Sequence, residues 1–177
     1  MCGIMQTSYK KGNKMDKLDI EIEGKIYKRL FIIGIVAVIC YVVITVLSFA
    51  VPRIYILDKN TVLDSEGTVK NGINTLYRGS LRLEIAGWAY KQGQDIKTFD
   101  SCFLLKNKEN ERMYMLKTGK QYMTDLHVVE GGHNALNSGL YSQSIVLGLR
   151  DGEYELLILY RNDGNDLLVD TGVTVEI

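Results

Sequence analysis

Proline is nearly missing from this sequence, with Pro52 as its single example in 177 residues, and that scarcity excludes the Pro-rich composition of a disordered linker. Cysteine is almost as rare: Cys2, Cys40 and Cys102 lie far apart. A lone Cys beyond residue 51 cannot staple the region around it, so that region has to be held by packing. No lipobox precedes Cys2, which excludes a lipoprotein, and no Asn-x-Ser/Thr sequon offers an N-glycan site. An excess of either charge is also lacking. The balance of 21 basic and 21 acidic residues argues against a general nucleic-acid binder. Catalytic patterns are absent too: there are only two His, no Gly-x-Ser-x-Gly elbow and no Gly-rich phosphate loop, so an enzyme and a cofactor are not expected.

What the sequence does have, and conspicuously, is one apolar run. Residues 30–51 read LFIIGIVAVICYVVITVLSFAV, with no charge and no Pro. About 22 residues at about 1.5 Å each suffice to cross a hydrocarbon layer of about 30 Å. Its hydroxyls, Thr45 and Ser48, can bond back to helical carbonyls. Residues 1–29 carry Lys10, Lys11, Lys14, Lys17, Lys25, Lys28 and Arg29, whereas only Arg53 and Lys59 follow the run closely. The positive-inside rule places 1–29 in the cytoplasm as a basic tail and everything after 51 outside. Ser48-Phe49-Ala50 would suit a signal-peptidase site, but the run exceeds the length of about 7–15 residues of a signal-peptide core. The expectation is an uncleaved signal-anchor, in contact with membrane lipid through residues 30–51.

Residues 52–79 are polar and broken, and read as a stalk with a possible first strand near Thr68; Arg53 onward could form another short one. Asn71-Gly72 reads as a turn. From residue 80 the pattern is regular. Leu81, Leu83 and Ile85 alternate with Arg82 and Glu84; Tyr154, Leu156, Ile158 and Tyr160 alternate with Glu155 and Arg161. Turns are expected around Gly93, at 107–110, around Gly119, at Arg150-Asp151-Gly152 and at 162–165, with 130–139 as the longest irregular insert. Seven or eight short strands at this spacing argue for an antiparallel β-sandwich over 80–177, and no helical stretch suits a βαβ unit.

The candidate binding residues are aromatic: Trp88, Tyr90, Tyr114, Tyr122 and Tyr141. Trp88 is the only Trp. Strict alternation from Leu83 and Ile85 puts it outside, as a platform for a sugar ring; a bulge at Ala86-Gly87 would turn it into the core, and that bulge is the preferred expectation. His127 and His133 flank Glu130, with Asp125 near, but match no compact metal spacing, and a surface loop is expected. Residues 162–166 resemble a calcium loop only superficially, and Asp163-Gly164 is explained by hairpin chemistry. Cys102 lies in an apolar stretch that should raise its thiol pKa. Glu153 and Glu155 share a solvent face.

Three pieces carry a resemblance: Ile85-Ala86-Gly87-Trp88-Ala89, Asn137-Ser138-Gly139-Leu140 and Gly152-Glu153-Tyr154-Glu155-Leu156. Residues 80–177 resemble an immunoglobulin-like β-sandwich module with a Gly-Trp-Ala strand motif, found in membrane-anchored, surface-polysaccharide-associated proteins of the bacterial cell envelope. Leu140 stands where the family has an aromatic residue, and Met123-Thr124-Asp125-Leu126 keeps the Asp of the family's Arg-x-Asp-Val without its Arg. The resemblance implies a non-catalytic accessory domain, and such modules share no single ligand; the exposed aromatics point to an envelope glycan as the expected partner. The alternative is a structural subunit docking on another membrane protein by an edge strand or by the anchor helix, where Gly34, Ala37 and Cys40 fall near one face.

Overall fold

The uncharged run forms the helix its composition demands. In the computed structural model, which describes residues 12–98, 100–123 and 135–177, helix α1 spans Gly12–Ala50. Its Gly24–Ser48 portion, with mean hydropathy 3.1, is long and apolar enough to cross a membrane. The Thr45 hydroxyl donates to the Tyr41 carbonyl at 2.8 Å, the back-bond that keeps a hydroxyl tolerable in such a helix. The helix starts well before the apolar run, so part of the basic tail is helical as well. The chain divides into two compact units, Met1–Leu47 and Ser48–Ile177.

The second unit is β structure throughout. Its strands are β1 (Arg53–Tyr55), β2 (Val62–Leu63), β3 (Val69–Arg78), β4 (Arg82–Lys91), β5 (Cys102–Asn107), β6 (Met113–Met115), β7 (Thr118–Gln121), β8 (Gly139–Ile145), β9 (Glu153–Asn162) and β10 (Asn165–Glu176). They form a six-stranded sheet in the order β1-β6-β5-β9-β10-β2 and a four-stranded sheet in the order β3-β4-β8-β7. Every pairing is antiparallel except β2 with β10. The exception departs from the all-antiparallel expectation. It arises because β2 arrives by a crossing connection instead of a hairpin.

The main core lies between the sheets. Leu83, Ile85 and Ala89 of β4, Phe103 and Leu105 of β5, and Tyr154, Leu156, Ile158 and Tyr160 of β9 are all buried in it. Period-two alternation sorts these residues from their solvent-facing neighbours in β4, as anticipated; in β5 and β9 the alternate residues Cys102, Leu104, Leu157 and Leu159 are buried too, on the opposite face. Leu81, by contrast, precedes β4 and is exposed. Residues 53–78, read as a stalk, form three strands. The 162–165 turn is a two-residue hairpin loop, with Asp163 and Gly164 at φ 53° and 81°, as its Asp-Gly sequence requires.

The outer face of the six-stranded sheet has a second apolar cluster: Cys102, Leu104, Leu157, Leu159 and Leu168, with Tyr55, Met113 and Met115 packed on it. Strands β1 and β2 stand at opposite edges of this sheet, so residues 56–61 cross that face as a strap. Tyr55 is level with Lys106 and Glu155, and Val62 with Leu167 and Tyr160. In a flat sheet those two positions would lie about 29 Å apart. The strap includes a turn in which the Thr61 N–H donates to the Asp58 carbonyl at 3.1 Å, so it reaches no farther than about 21 Å. The sheet therefore curls, and its outer face is concave around the cluster. Asp64 fastens the end of the strap. Its carboxylate accepts from the Thr68 N–H and hydroxyl, at 3.0 and 2.8 Å, and from the Val69 N–H at 2.9 Å.

Candidate functional site

Strand β4 carries Glu84, Ala86, Trp88 and Tyr90 on the outer face of the four-stranded sheet. No register shift occurs within β4; the irregularity is in β3, between Ile73 and Thr75. The expected bulge at Ala86-Gly87 is thus absent, Gly87 and Ala89 face inward, and strict alternation holds Trp88 on the outside. The reason is steric. A Cβ at Gly87 would lie 2.5 Å from the Gly72 carbonyl, so the backbones of β3 and β4 approach too closely there for a side chain, and the extra residue is accommodated in β3 instead.

Both cross-strand neighbours of Trp88 are glycines, Gly72 on β3 and Gly139 on β8. A Cβ on Gly72 would stand 2.8 Å from the indole atoms Cε2 and Cζ2, so the ring lies directly over this glycine. Asn71-Gly72 is therefore mid-strand and not a turn. Trp88 stacks on Tyr90 with ring centroids 5.4 Å apart and planes inclined by 26°. Both rings are half-buried. One face of the pair is packed down and the rest is open, which is the geometry of a platform.

Lys70 neighbours the rings, and other polar groups lie farther along the same face, about 13 Å or more from Trp88 by strand rise. Glu84 pairs with Arg82 at 2.5 Å, and the Gln143 amide oxygen accepts from the same guanidinium. Lys70 is directly opposite Tyr90, and Tyr77 opposite Glu84. Such a surface offers a flat apolar ring for the C–H face of a pyranose, with Lys70 alongside and a carboxylate and an amide farther along the face.

Of the five aromatic candidates, three share this face: Trp88, Tyr90 and Tyr141, the last opposite Ala86 and Gly119. Tyr122 is exposed just beyond β7. Tyr114 does not belong to the face. It is 8% exposed, in the main core, and meets Tyr154 edge-on at 6.1 Å. Its stretch reads Met-Tyr-Met, so no polar neighbour revealed which side of the strand was inward. Tyr77, 58% exposed, was missed because it lies in the segment read as stalk.

The other chemical candidates have structural explanations. Cys102 is buried, and that burial, against the opposing pull of Arg161, pushes its thiol up to about 11. Glu153 pairs with Lys108 at 2.9 Å and Glu155 with Lys106 at 3.4 Å, on the solvent side. Asp163 pairs with Lys97 at 2.7 Å. The Asn162 side chain turns inward, donating to the Asp95 carbonyl at 2.8 Å and accepting from the Lys97 N–H at 3.0 Å, and so shapes the loop before β5. His127, His133, Glu130, Asp125 and most of the 130–139 insert lie outside the described residues. Against protein-family models, curated proteins and solved structures, the chain finds no match.

Proposed function

We propose that this chain is a single-pass membrane protein presenting an immunoglobulin-like β-sandwich outside the cell, as a non-catalytic glycan-binding module in cell-envelope polysaccharide assembly. The supporting observation is the Trp88–Tyr90 stack, laid over Gly72 with Lys70 opposite Tyr90. A stacked pair of half-open rings is costly to leave wet, and here it is supported from beneath as a core aromatic would be. The basic leader and apolar helix supply the tether and its direction.

Because Trp88 is the sole Trp, its emission reports on this face alone. Titrating the full chain in detergent with envelope oligosaccharides should shift or quench that emission, and Trp88→Ala should abolish retention on the same immobilised glycan. Unchanged emission with every envelope sugar tested removes the glycan reading.

A second reading is favoured by β3. This ten-residue strand is an edge of its sheet, with Leu76 and Tyr77 exposed near its end. Long edges are templates for pairing with another chain, and the protein would then be a structural subunit docked on a membrane partner. Crosslinking in membranes through position 75 should capture that partner; the absence of any adduct counts against docking at this edge.

A further inference from the structure

The end of β1 and the start of the strap are unusually apolar where they are exposed: Ile54 is 68% exposed and Ile56 86%, and Leu57 joins them, while Val62 and Leu63 lie at the far edge of the sheet. Residues 54–57 also line an open groove with Glu111, Arg112 and Met113. Scattered single apolar residues on a surface need no explanation, but a cluster along one segment marks an interaction site.

Covalent reach identifies the partner. The apolar run ends at Val51, at the boundary of the hydrocarbon layer if the helix spans it. Ile54 is three residues on, so it cannot lie more than about 10 Å from Val51, and Ile56 no more than about 18 Å. The polar interface of a bilayer is several ångströms deep on each side, since headgroups widen about 30 Å of hydrocarbon to about 40–45 Å. Ile54 is therefore held in or beside the headgroup layer whatever the domain does, and Ile56 within easy reach of it. A side chain as exposed as Ile56 loses its hydration there at little steric cost. Arg53 and Arg112 flank the apolar residues, suited to lipid phosphates.

We infer that the end of β1 and the start of the strap, residues 54–57, rest in the headgroup and upper acyl region of the same bilayer that α1 spans. This rests on the membrane-anchor part of the proposed function and not on its glycan.

The test uses the full chain in phosphatidylethanolamine–phosphatidylglycerol vesicles, with and without mid-chain bromine on the lipid. The native protein and an Ile56→Trp variant are compared, Trp88 serving as the internal reference. Trp88 emission should be unaffected by bromolipid, whereas emission gained at position 56 should fall at least about twofold. Because Ile56 is almost wholly exposed, the variant leaves the core intact. An Ile54→Trp variant supplies a second reporter if the first expresses poorly. Equal quenching of native and variant proteins overturns the inference, as does protection of position 56 from aqueous acrylamide without bromine quenching, which assigns the patch to a protein partner. A chain that fails to float with the vesicles overturns the anchor reading too, and so distinguishes the two failures.

Discussion

Glycine and asparagine do more at the residue scale than their usual turn roles suggest. Gly87→Ala forces a Cβ against the Gly72 carbonyl, which is backbone and cannot turn away, whereas Gly72→Ala meets an indole that can tilt outward. Gly87→Ala should therefore cost about 3 kcal/mol and Gly72→Ala about 1 kcal/mol, as urea unfolding of the full chain in detergent would measure, with only the latter strongly shifting native Trp88 emission. Asn162→Ala removes three bonds to the loop before β5, to Asp95, Lys97 and Thr98, at a site 1% exposed. It should cost about 2–3 kcal/mol by the same measurement. Cys102 should resist alkylation at neutral pH until denaturant is added, because burial has moved its pKa to about 11 and little thiolate exists. Mass spectrometry of iodoacetamide-treated protein checks this. The raised thiol pKa was legible from the apolar run around Cys102. The roles of Gly72 and Asn162 were not. Each depends on a group far along the chain, and both residues sit in dipeptides, Asn-Gly and Asn-Asp, whose local chemistry suggests a turn.

Strands legible in advance are the ones that need no distant partner to be recognised. β4 and β9 are ten residues long; β4 buries one face and shows the period-two pattern directly, while β9 shows it only at Tyr154, Glu155, Leu156 and again at Tyr160, Arg161, because Leu157 and Leu159 are buried on its other face. β1 and β2 are three and two residues long. Their partners, β6 and β10, come about 60 and 105 residues later in the chain, so nothing local announces them. The strap between them depends on Asp64. Burial favours the protonated form of its carboxyl, but the bonds from Val69 and Thr68 outweigh it and hold the pKa below the ordinary value of 3.8. A depressed carboxyl contributes stability that is complete above its unfolded pKa and lost as pH falls through the folded one. Asp64→Asn should accordingly destabilise the protein at pH 7, and the gap to the native protein should narrow between about pH 4 and pH 2. Urea midpoints across that range, with Asp166→Asn as the control, decide it; a gap independent of pH would mean that the charge is irrelevant.

For the whole molecule, an apolar helical unit and a β unit are joined in one chain, and composition alone distinguished them. The helix was legible because no other fold tolerates so long an uncharged run, and its extension back to Gly12 was not, because a polar helix lacks such a signature. Asymmetric Lys and Arg placement makes a topological prediction. Protease added outside intact cells should cleave the domain side and spare the first 29 residues, and moving the basic cluster to residues 52–60 should reverse the outcome.

The strap also determines how the domain bears load. Tension on the tether enters at β1, whose three antiparallel pairs with β6 lie at the margin of the sheet. Such a short margin peels bond by bond and does not shear all at once. The next element to take the force is the strap, which is stopped by β2 and the Asp64 clasp before tension reaches β3. A module tethered to a moving polymer would yield first in this stretch, lengthening by a few nanometres while the Trp88 face stays assembled. On the proposed tethering, the N-terminal strands act as a mechanical fuse ahead of the Trp88 face.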